Sequence, residues 1–308
     1  MKSEQKYLYS IRTVLIGLCT ATILLGFTTG SVLAHEDPSH YDNSGAPHET
    51  PHEAEPPTGG HSSLASAATN PISNLIQFQL INNYNWENHN SSGYSNATII
   101  QPVIPVTLPW EKVPLLITRT TVPYVTTPDL GEPINRKRGL GDSSVLLLAS
   151  PKLETKGVQV GFGLNTVIPT AGDNDFTGSG KWQAGPAALY INMRTPSLQW
   201  GIFVYQLWDF ASSSGNSDRP GVSQLALQPF ITKHFDKGWY IGTPDTPQTY
   251  NFKSKKWTWA LGGQAGRVTK LGKQPVKMFG EVLYNPEDDN GPTAKWTARF
   301  GLTLLFPE

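Results

Sequence analysis

The stretch that decides the fold lies near the end of the chain, where residues 294–306 read AKWTARFGLTLLF. Its side chains alternate between apolar and polar with a period of two. One face of an extended chain carries the apolar set Ala294, Trp296, Ala298, Phe300, Leu302, Leu304 and Phe306. The other face carries Lys295, Thr297, Arg299, Gly301 and Thr303. Strict alternation over about ten residues indicates a β-strand whose two faces meet different surroundings.

The same alternation recurs through the body of the chain from residue 70 onward. It is clearest in residues 158–166, 223–231, 257–265 and 274–284. Counting every such stretch predicts twelve strands, near residues 74–84, 96–107, 112–124, 141–150, 157–168, 181–193, 197–210, 222–235, 238–246, 256–269, 273–285 and 293–306. The ninth is the weakest, because two prolines interrupt it and proline cannot donate a ladder hydrogen bond.

The connections between these strands alternate in length. Residues 109–111 and 236–237 are short links, whereas residues 126–139, 211–221 and 247–255 are long and polar. An even number of antiparallel strands, with short turns at one end and long loops at the other, describes an outer-membrane barrel. The predicted fold class is therefore all-β, a single antiparallel transmembrane β-barrel of about twelve strands over residues 70–308.

Tryptophan placement favours a membrane barrel over the alternative, a soluble secreted β-sandwich. Six tryptophans fall near the ends of the predicted strands, where an aromatic girdle would meet lipid headgroups. They are Trp110, Trp200, Trp208, Trp239, Trp257 and Trp296. A sandwich gives no reason for spaced aromatics or for alternating loop lengths.

The first 34 residues are expected to be a secretory signal peptide. Lys2 and Arg12 contribute to a basic start, and residues 13–27 are mostly apolar. An uncleaved anchor is the alternative. The single cysteine, Cys19, lies in this segment, so a disulfide framework within the chain is excluded. No later apolar run reaches the roughly 18 residues of a transmembrane helix.

Residues 35–69 differ from the rest of the chain, because they are rich in histidine, proline and acidic residues and contain no lysine or arginine. We expect a disordered tail, since so polar a segment buries too little apolar surface to offset its ordering entropy. Residues 48–52 match H-E-x-x-H, but Pro51 opposes the helix that this zinc-protease motif requires. Weak capture of Zn²⁺, Cu²⁺ or Ni²⁺ is the sharper hypothesis, and a solvated leader is the alternative. The candidate ligands are His35, His40, His48, His52 and His61.

Composition and motifs argue against several classes of function. The formal net charge of the 308 residues is zero, so there is no basic field that would attract nucleic acid. Residues 141–143 read Gly-Asp-Ser, as in some serine hydrolases. Outside the tail, only His89 and His234 could act as the base, and we expect them at opposite ends of the barrel. The sequence therefore predicts no enzyme, with an outer-membrane lipid hydrolase as the alternative.

Several short motifs in the body resemble those of a known family. They are NPISNLI at 70–76, QPVIP at 101–105, ITRT at 117–120, GLGD at 139–142, PTA at 169–171, GSGKW at 178–182, QPF at 228–230, QPV at 274–276 and LFP at 305–307. In combination they resemble the "MetA-pathway of phenol degradation" family of outer-membrane proteins, which are labelled as transporters. The resemblance covers residues 70–308. It implies a β-barrel that passes aromatic or other hydrophobic compounds across the outer membrane.

The polar face of the strands defines a candidate site inside the barrel. Charge that faces lipid is costly at mid-bilayer, so the alternating polar residues are expected to face the lumen. The predicted inward set is Gln77, Gln79, Gln101, Arg119, Gln159, Asn165, Gln224, Gln228, Lys277, Glu281, Lys295 and Arg299. Twelve strands should leave a narrow passage. Its predicted polar constriction consists of Arg119, Lys277, Glu281 and Arg299, together with Gln101 and Gln228.

These patterns together predict an outer-membrane channel or transporter for small solutes that works by passive diffusion. The hydrophobic or aromatic solute class comes from the resemblance alone. A structural or adhesive barrel and a metal-capturing outer-membrane protein are the alternatives. The expected partners are outer-membrane lipid, the solute and the barrel-assembly machinery, and no cofactor is expected beyond weak metal capture by the tail. The predicted location is the outer membrane of a Gram-negative-type bacterium, with both termini in the periplasm.

Overall fold

One α-helix, one 3-10 helix and fifteen strand segments make up the part of the chain that the computed structural model describes. The described residues are 62–132, 135–172, 176–213, 215, 217–288 and 292–307. The helices are α1, Ser62–Thr69, and a 3-10 turn, Asp236–Gly238. The strands are β1 Ile76–Asn88, β2 Ser95–Trp110, β3 Val113–Thr126, β4 Arg138–Leu140, β5 Ser143–Ser150, β6 Val158–Ile168, β7 Lys181–Thr195, β8 Leu198–Ser212, β9 Ser223–His234, β10 Trp239–Gly242, β11 Gln248–Asn251, β12 Lys256–Thr258, β13 Leu261–Leu271, β14 Gln274–Tyr284 and β15 Ala294–Phe306.

The fifteen segments form the twelve strands of a closed antiparallel barrel. Three of the twelve strands are interrupted, and each of these three consists of two segments. Both β4 and β5 pair with β3, and both β10 and β11 pair with β9. In the next strand along, β12 pairs with β11, and β13 pairs with β10. Pairing of β1 with β15, as in Gln79 opposite Thr303, closes the ring. The predicted all-β, twelve-strand barrel is confirmed, and each predicted strand coincides with an observed one.

The connections also follow the predicted alternation, with one exception. Residues 111–112, 196–197 and 272–273 are tight turns at one end of the barrel, and residues 127–137 and 213–222 belong to long loops at the other. The predicted long loop at 247–255 is wrong. Strands β11 and β12 extend into it and leave a connection of residues 252–255, since Thr249 pairs with Thr258 and Asn251 with Lys256.

The outer surface of the barrel is apolar over a continuous band. Outward side chains of neighbouring strands are large, hydrophobic and exposed, as with Phe162 (58%), Val282 (51%) and Phe300 (60%). Trp110, Trp200 and Trp239 are exposed at the short-turn end; Trp86, Trp182, Trp208 and Phe210 are exposed at the long-loop end. Among the predicted girdle residues, Trp296 stacks on Trp86 at 5.8 Å and Trp257 on Trp259 at 4.9 Å. Exposed apolar area between two aromatic rows is the surface that a lipid bilayer covers.

The interior is filled at the short-turn end, where the alternation had predicted polar side chains. Helix α1 and the residues that follow it, together 62–75 and here called the plug, pack against inward side chains. Ala65 and Ala68 are buried with Ile81, Val268, Tyr240, Phe279 and Leu305. Ile72 is buried in a second cluster with Val103, Ile117, Leu146, Leu148, Ala187, Leu189, Ile191 and Phe203. These inward apolar residues pack around the plug at this end.

The prediction of a tail up to residue 69 is wrong for residues 62–69, which are helical and pack inside the barrel through residues 64–68. A helix of eight residues is marginal by itself, so burial of its small alanines stabilises it. The predicted signal peptide, 1–34, and the rest of the predicted tail, with its five candidate metal ligands, lie outside the described residues. Among the described residues, no helix is long and apolar enough to cross a membrane.

Candidate functional site

Hydrogen bonds hold the plug to the inner wall of the barrel. The Thr69 hydroxyl lies 2.9 Å from both Gln199 Oε1 and His234 Nε2, on β8 and β9. Gln199, which is 1% exposed, donates in turn to the Ser66 carbonyl oxygen at 2.8 Å. The Asn70 amide donates to Gln159 Oε1 of β6 at 2.8 Å. The hydrogen bonds therefore tie the plug to β6, β8 and β9, which lie within four consecutive strands of the wall.

A second element enters the lumen where the ninth strand is broken. Residues 243–247, here called the inner loop, connect β10 to β11 and contain Pro244 and Pro247. The Asp245 amide donates to Glu281 Oε1 at 3.1 Å, and its carbonyl oxygen accepts from Arg299 at 2.8 Å. Arg299 also donates to the Thr246 hydroxyl. The inner loop is thus hydrogen-bonded to β14 and β15, which lie beyond the strand next to it in the wall.

A cavity of about 90 Å³ lies between the plug and the inner loop. Its floor is Ala68–Pro71, and Pro244 and Asp245 lie at its other side. The polar part of its wall consists of Gln77, Gln79, Gln101, Arg119, Gln228, Thr232, Gln264 and Lys277. The apolar part consists of Val103, Ile117, Leu146, Leu148, Leu189, Phe203, Phe230 and Phe279. The cavity therefore presents hydrogen-bonding groups and a hydrophobic surface to the same small volume.

Three cations meet aromatic rings at this cavity. The Arg119 guanidinium lies 5.6 Å from the Phe203 ring, the Lys277 ammonium 5.6 Å from the Phe279 ring, and the Arg299 guanidinium 5.9 Å from that same ring. Arg299 pairs with Glu281 at 3.7 Å, with both residues buried. The Asp245 carboxylate accepts a hydrogen bond from Gln228 at 2.7 Å and is exposed.

The structure brings the six predicted constriction residues together. Arg119, Lys277, Gln101 and Gln228 line the cavity, and Glu281 and Arg299 adjoin it through the inner loop. The polar residues are also joined to one another. Gln101 donates to Gln79, Gln79 donates to Gln77, and the Thr121 hydroxyl donates to Gln101, each at 3.0 Å.

Other predicted inward residues lie elsewhere in the lumen. Gln159 anchors the plug, and Asn165 is buried. Lys295 pairs with Glu87 at 2.6 Å near the long loops. Gln224 lines a second cavity, of about 360 Å³ and here called the outer cavity, together with Ser179, Gln183, Arg219, Pro220, Gly221, Val222 and Asn251.

Sequence reasoning missed Asp245 and the plug residues Ala68–Pro71. The two prolines of the ninth strand were the available signal for the inner loop, because they interrupt the pattern at the place where the chain leaves the wall. The aromatic wall residues Phe203 and Phe279 were also missed, since alternation predicted a polar lumen.

No serine–histidine pair is found among the described residues. The Ser143 hydroxyl lies 2.8 Å from that of Thr170, and Asp142 accepts hydrogen bonds from the backbone and hydroxyl of Ser179. His89 Nε2 contacts the Asn285 carbonyl oxygen, whereas His234 contacts the plug. Within the same part of the chain, no group of three or more His, Cys, Asp or Glu side chains is arranged to hold a metal ion.

The described geometry is that of an outer-membrane β-barrel with a partly filled lumen. An outer membrane channel from Pseudomonas putida F1 has a similar fold, with a TM-score of 0.59 and 13% sequence identity over 76% of this chain and 96% of that one. Two more distant likenesses are outer membrane phospholipases. The Salmonella typhi enzyme has a TM-score of 0.40 at 14% identity over 80% of this chain and 98% of that one. An active-site mutant of the Escherichia coli enzyme has a TM-score of 0.41 at 13% sequence identity over 81% of this chain and 99% of that one.

No protein-family model and no curated protein sequence matches the chain. At 13% identity the likeness to the channel establishes the fold alone. The TM-scores of the two phospholipases are too low to carry a functional inference.

Proposed function

We propose that this protein is an outer-membrane channel through which a small solute diffuses passively. The observation that carries the proposal is the polar and apolar cavity enclosed by a barrel whose outer surface is hydrophobic. A hydrophobic outer surface is typical of a barrel that spans a bilayer. A cavity in the lumen with polar and apolar walls is a candidate binding site for a solute. The fold shared with the Pseudomonas putida channel supports this assignment.

The solute class that we propose is small and at least partly hydrophobic or aromatic. The sequence motifs resemble the MetA-pathway of phenol degradation family of outer-membrane proteins. Three phenylalanines in the cavity wall are compatible with such a solute. The plug packs inside the short-turn end of the lumen, so we expect passage to require a shift of the plug.

Planar-bilayer recording of the purified barrel tests the channel assignment. We expect discrete conductance steps from the wild-type protein. The double variant Arg119→Ala, Arg299→Ala removes two lumen cations and one anchor of the inner loop, so its conductance should rise and its preference for anions should fall. Arg267→Ala is the matched control, because Arg267 lies over Trp239 on the outer face at 5.2 Å. It should behave as the wild type.

Two results would contradict the proposal. One is the absence of conductance both from the wild type and from a variant lacking the plug, when both show the heat-modifiable gel migration of a folded barrel. The other is hydrolysis of phospholipid vesicles by the purified protein, which would favour the hydrolase alternative.

A further inference from the structure

We infer that the lumen cavity is a binding site for a small organic carboxylate with a hydrophobic or single-ring body. This deepens the proposed function and rests on it only for the route by which the carboxylate reaches the cavity. Three features carry it: two cations that no carboxylate of the described residues bonds, a hydrophobic wall beside them, and a further cation in the outer cavity.

The first feature is the charge balance at the cavity. Arg299 is neutralised by Glu281, and its guanidinium is occupied by the inner loop. Arg119 and Lys277 face the cavity, yet among the described residues neither side chain makes a hydrogen bond or an ion pair. Their contacts there are with the faces of Phe203 and Phe279.

The nearby carboxylates act on these two cations through space but make no hydrogen bond or ion pair with them in the described structure. Glu281 is 3% exposed and belongs to the pair with Arg299. Asp245 acts on Arg119 and Lys277 through space, but its carboxylate is bonded to Gln228 and exposed. A cation withdrawn from bulk solvent without a bonded partner is costly, and Lys277 is buried while Arg119 is half-buried, so an anion that enters this cavity gains the interaction that the protein leaves unmade.

The donor chemistry favours a carboxylate. A guanidinium presents a planar fork that matches two carboxylate oxygens, and an ammonium elsewhere on the same cavity adds a point charge. The amide groups of Gln77 and Gln101 stand on the same wall and can complete the hydrogen bonds of such a head group.

The second feature is the hydrophobic wall, which favours a hydrophobic body for the part of the ligand that is not the carboxylate. Val103, Ile117, Leu146, Leu148 and Phe203 lie on the same cavity as Arg119. A small inorganic anion would leave this surface without a partner, whereas a hydrocarbon chain or a ring would cover it.

The third feature lies nearer the long loops. Arg219 lines the outer cavity of about 360 Å³, and one of its terminal nitrogens is buried without a hydrogen-bond partner in the described structure. Arg219 is therefore a further cation on the long-loop side of Arg119 and Lys277. Cations along a narrow polar path raise the local concentration of anions.

Calorimetric titration of the full-length barrel in a non-ionic detergent tests the inference. Benzoate, benzamide and benzamidine have nearly the same shape and carry charges of −1, 0 and +1. We expect benzoate to bind at least tenfold more tightly than benzamide, and benzamidine to show no binding. Lys277→Gln and Arg119→Gln should each weaken benzoate binding at least tenfold. Arg267→Gln, on the outer face, should leave it unchanged.

Equal affinity for benzoate and benzamide would overturn the inference, as would benzoate binding that neither variant weakens while both migrate as folded barrels. Conductance distinguishes this failure from failure of the proposed function. A barrel that conducts but shows no charge preference among the three probes remains a channel without the carboxylate site. A barrel that binds benzoate but never conducts keeps the site and loses the channel.

Discussion

Phe279 occupies space that a glycine leaves open on the neighbouring strand. A Cβ atom added at Gly301 would lie 2.0 Å from Phe279 Cε1, far inside contact distance. The same ring receives both Lys277 and Arg299 on its face. The lack of a side chain at Gly301 therefore leaves room for the Phe279 ring, and the ring in turn contacts Lys277 and Arg299.

Substituting Gly301 with alanine should displace the Phe279 ring. We expect the loss of stability typical of overpacking, about 1–3 kcal/mol, together with altered conductance. Thermal unfolding followed by heat-modifiable gel migration measures the first effect. Gly280→Ala is the matched control, because its Cβ would lie 3.7 Å from Phe300, an ordinary contact on the outer face. Equal melting of the two variants would show that the ring adapts freely.

At this scale the sequence predicted the charged part of the site well and its other parts poorly. The inward orientation of Lys277 and Glu281 follows from the alternation of the strand, because a charge on one face of an alternating strand must avoid lipid. Asp245 could not be found in this way, since it lies in the inner loop, where the ninth strand is interrupted and the alternation stops. Phe279 lies at an inward position of the alternation, but alternation alone does not say that an apolar residue is needed there.

At the scale of elements, the plug is the part that the strand pattern could not place. Residues 62–69 read SSLASAAT, which has no long apolar face, and the helix depends on partners far away in sequence, such as Tyr240 and Val268. One signal was present. Residues 145–149 of β5 read VLLLA, apolar on both faces, which is typical of a strand buried on both sides.

Weakening the plug's anchor should open the barrel more often. Thr69→Val keeps the shape of the side chain but removes its contacts with Gln199 and His234. Leaving buried polar groups unpaired costs about 1–3 kcal/mol, and that cost falls on the closed state. We expect a higher open probability in bilayer recordings at unchanged conductance per opening.

Thr166→Val provides the control for the plug variant, because Thr166 bonds the Val145 carbonyl oxygen within the wall at 3.0 Å and does not touch the plug. It should gate as the wild type. An open probability that stays the same in Thr69→Val would mean that the plug is held mainly by its apolar contacts.

At the scale of the whole molecule, the two ends of the barrel differ in nearly every respect. The short-turn end holds the plug, both apolar clusters and the C-terminal strand end at Phe306. The long-loop end holds the outer cavity and the Lys295–Glu87 pair. The even strand count explains why the plug and the last strand end share one side, and this much followed from the sequence. The filling of that side did not, because strand periodicity describes a wall and not its contents.

This asymmetry predicts how the barrel is oriented in the membrane. Outer-membrane barrels keep short turns on the periplasmic side and long loops outside, so the chain that leads into the plug should lie in the periplasm. An epitope tag inserted at Asn290, between β14 and β15, should be reached by antibody on intact cells. A tag at Ser44 should be reached only after the outer membrane is permeabilised. Each tagged protein serves as the control for the other, since both must migrate as heat-modifiable barrels. Labelling of Ser44 but not Asn290 on intact cells would reverse the orientation, and a solute from outside would then meet the plug before the charged cavity.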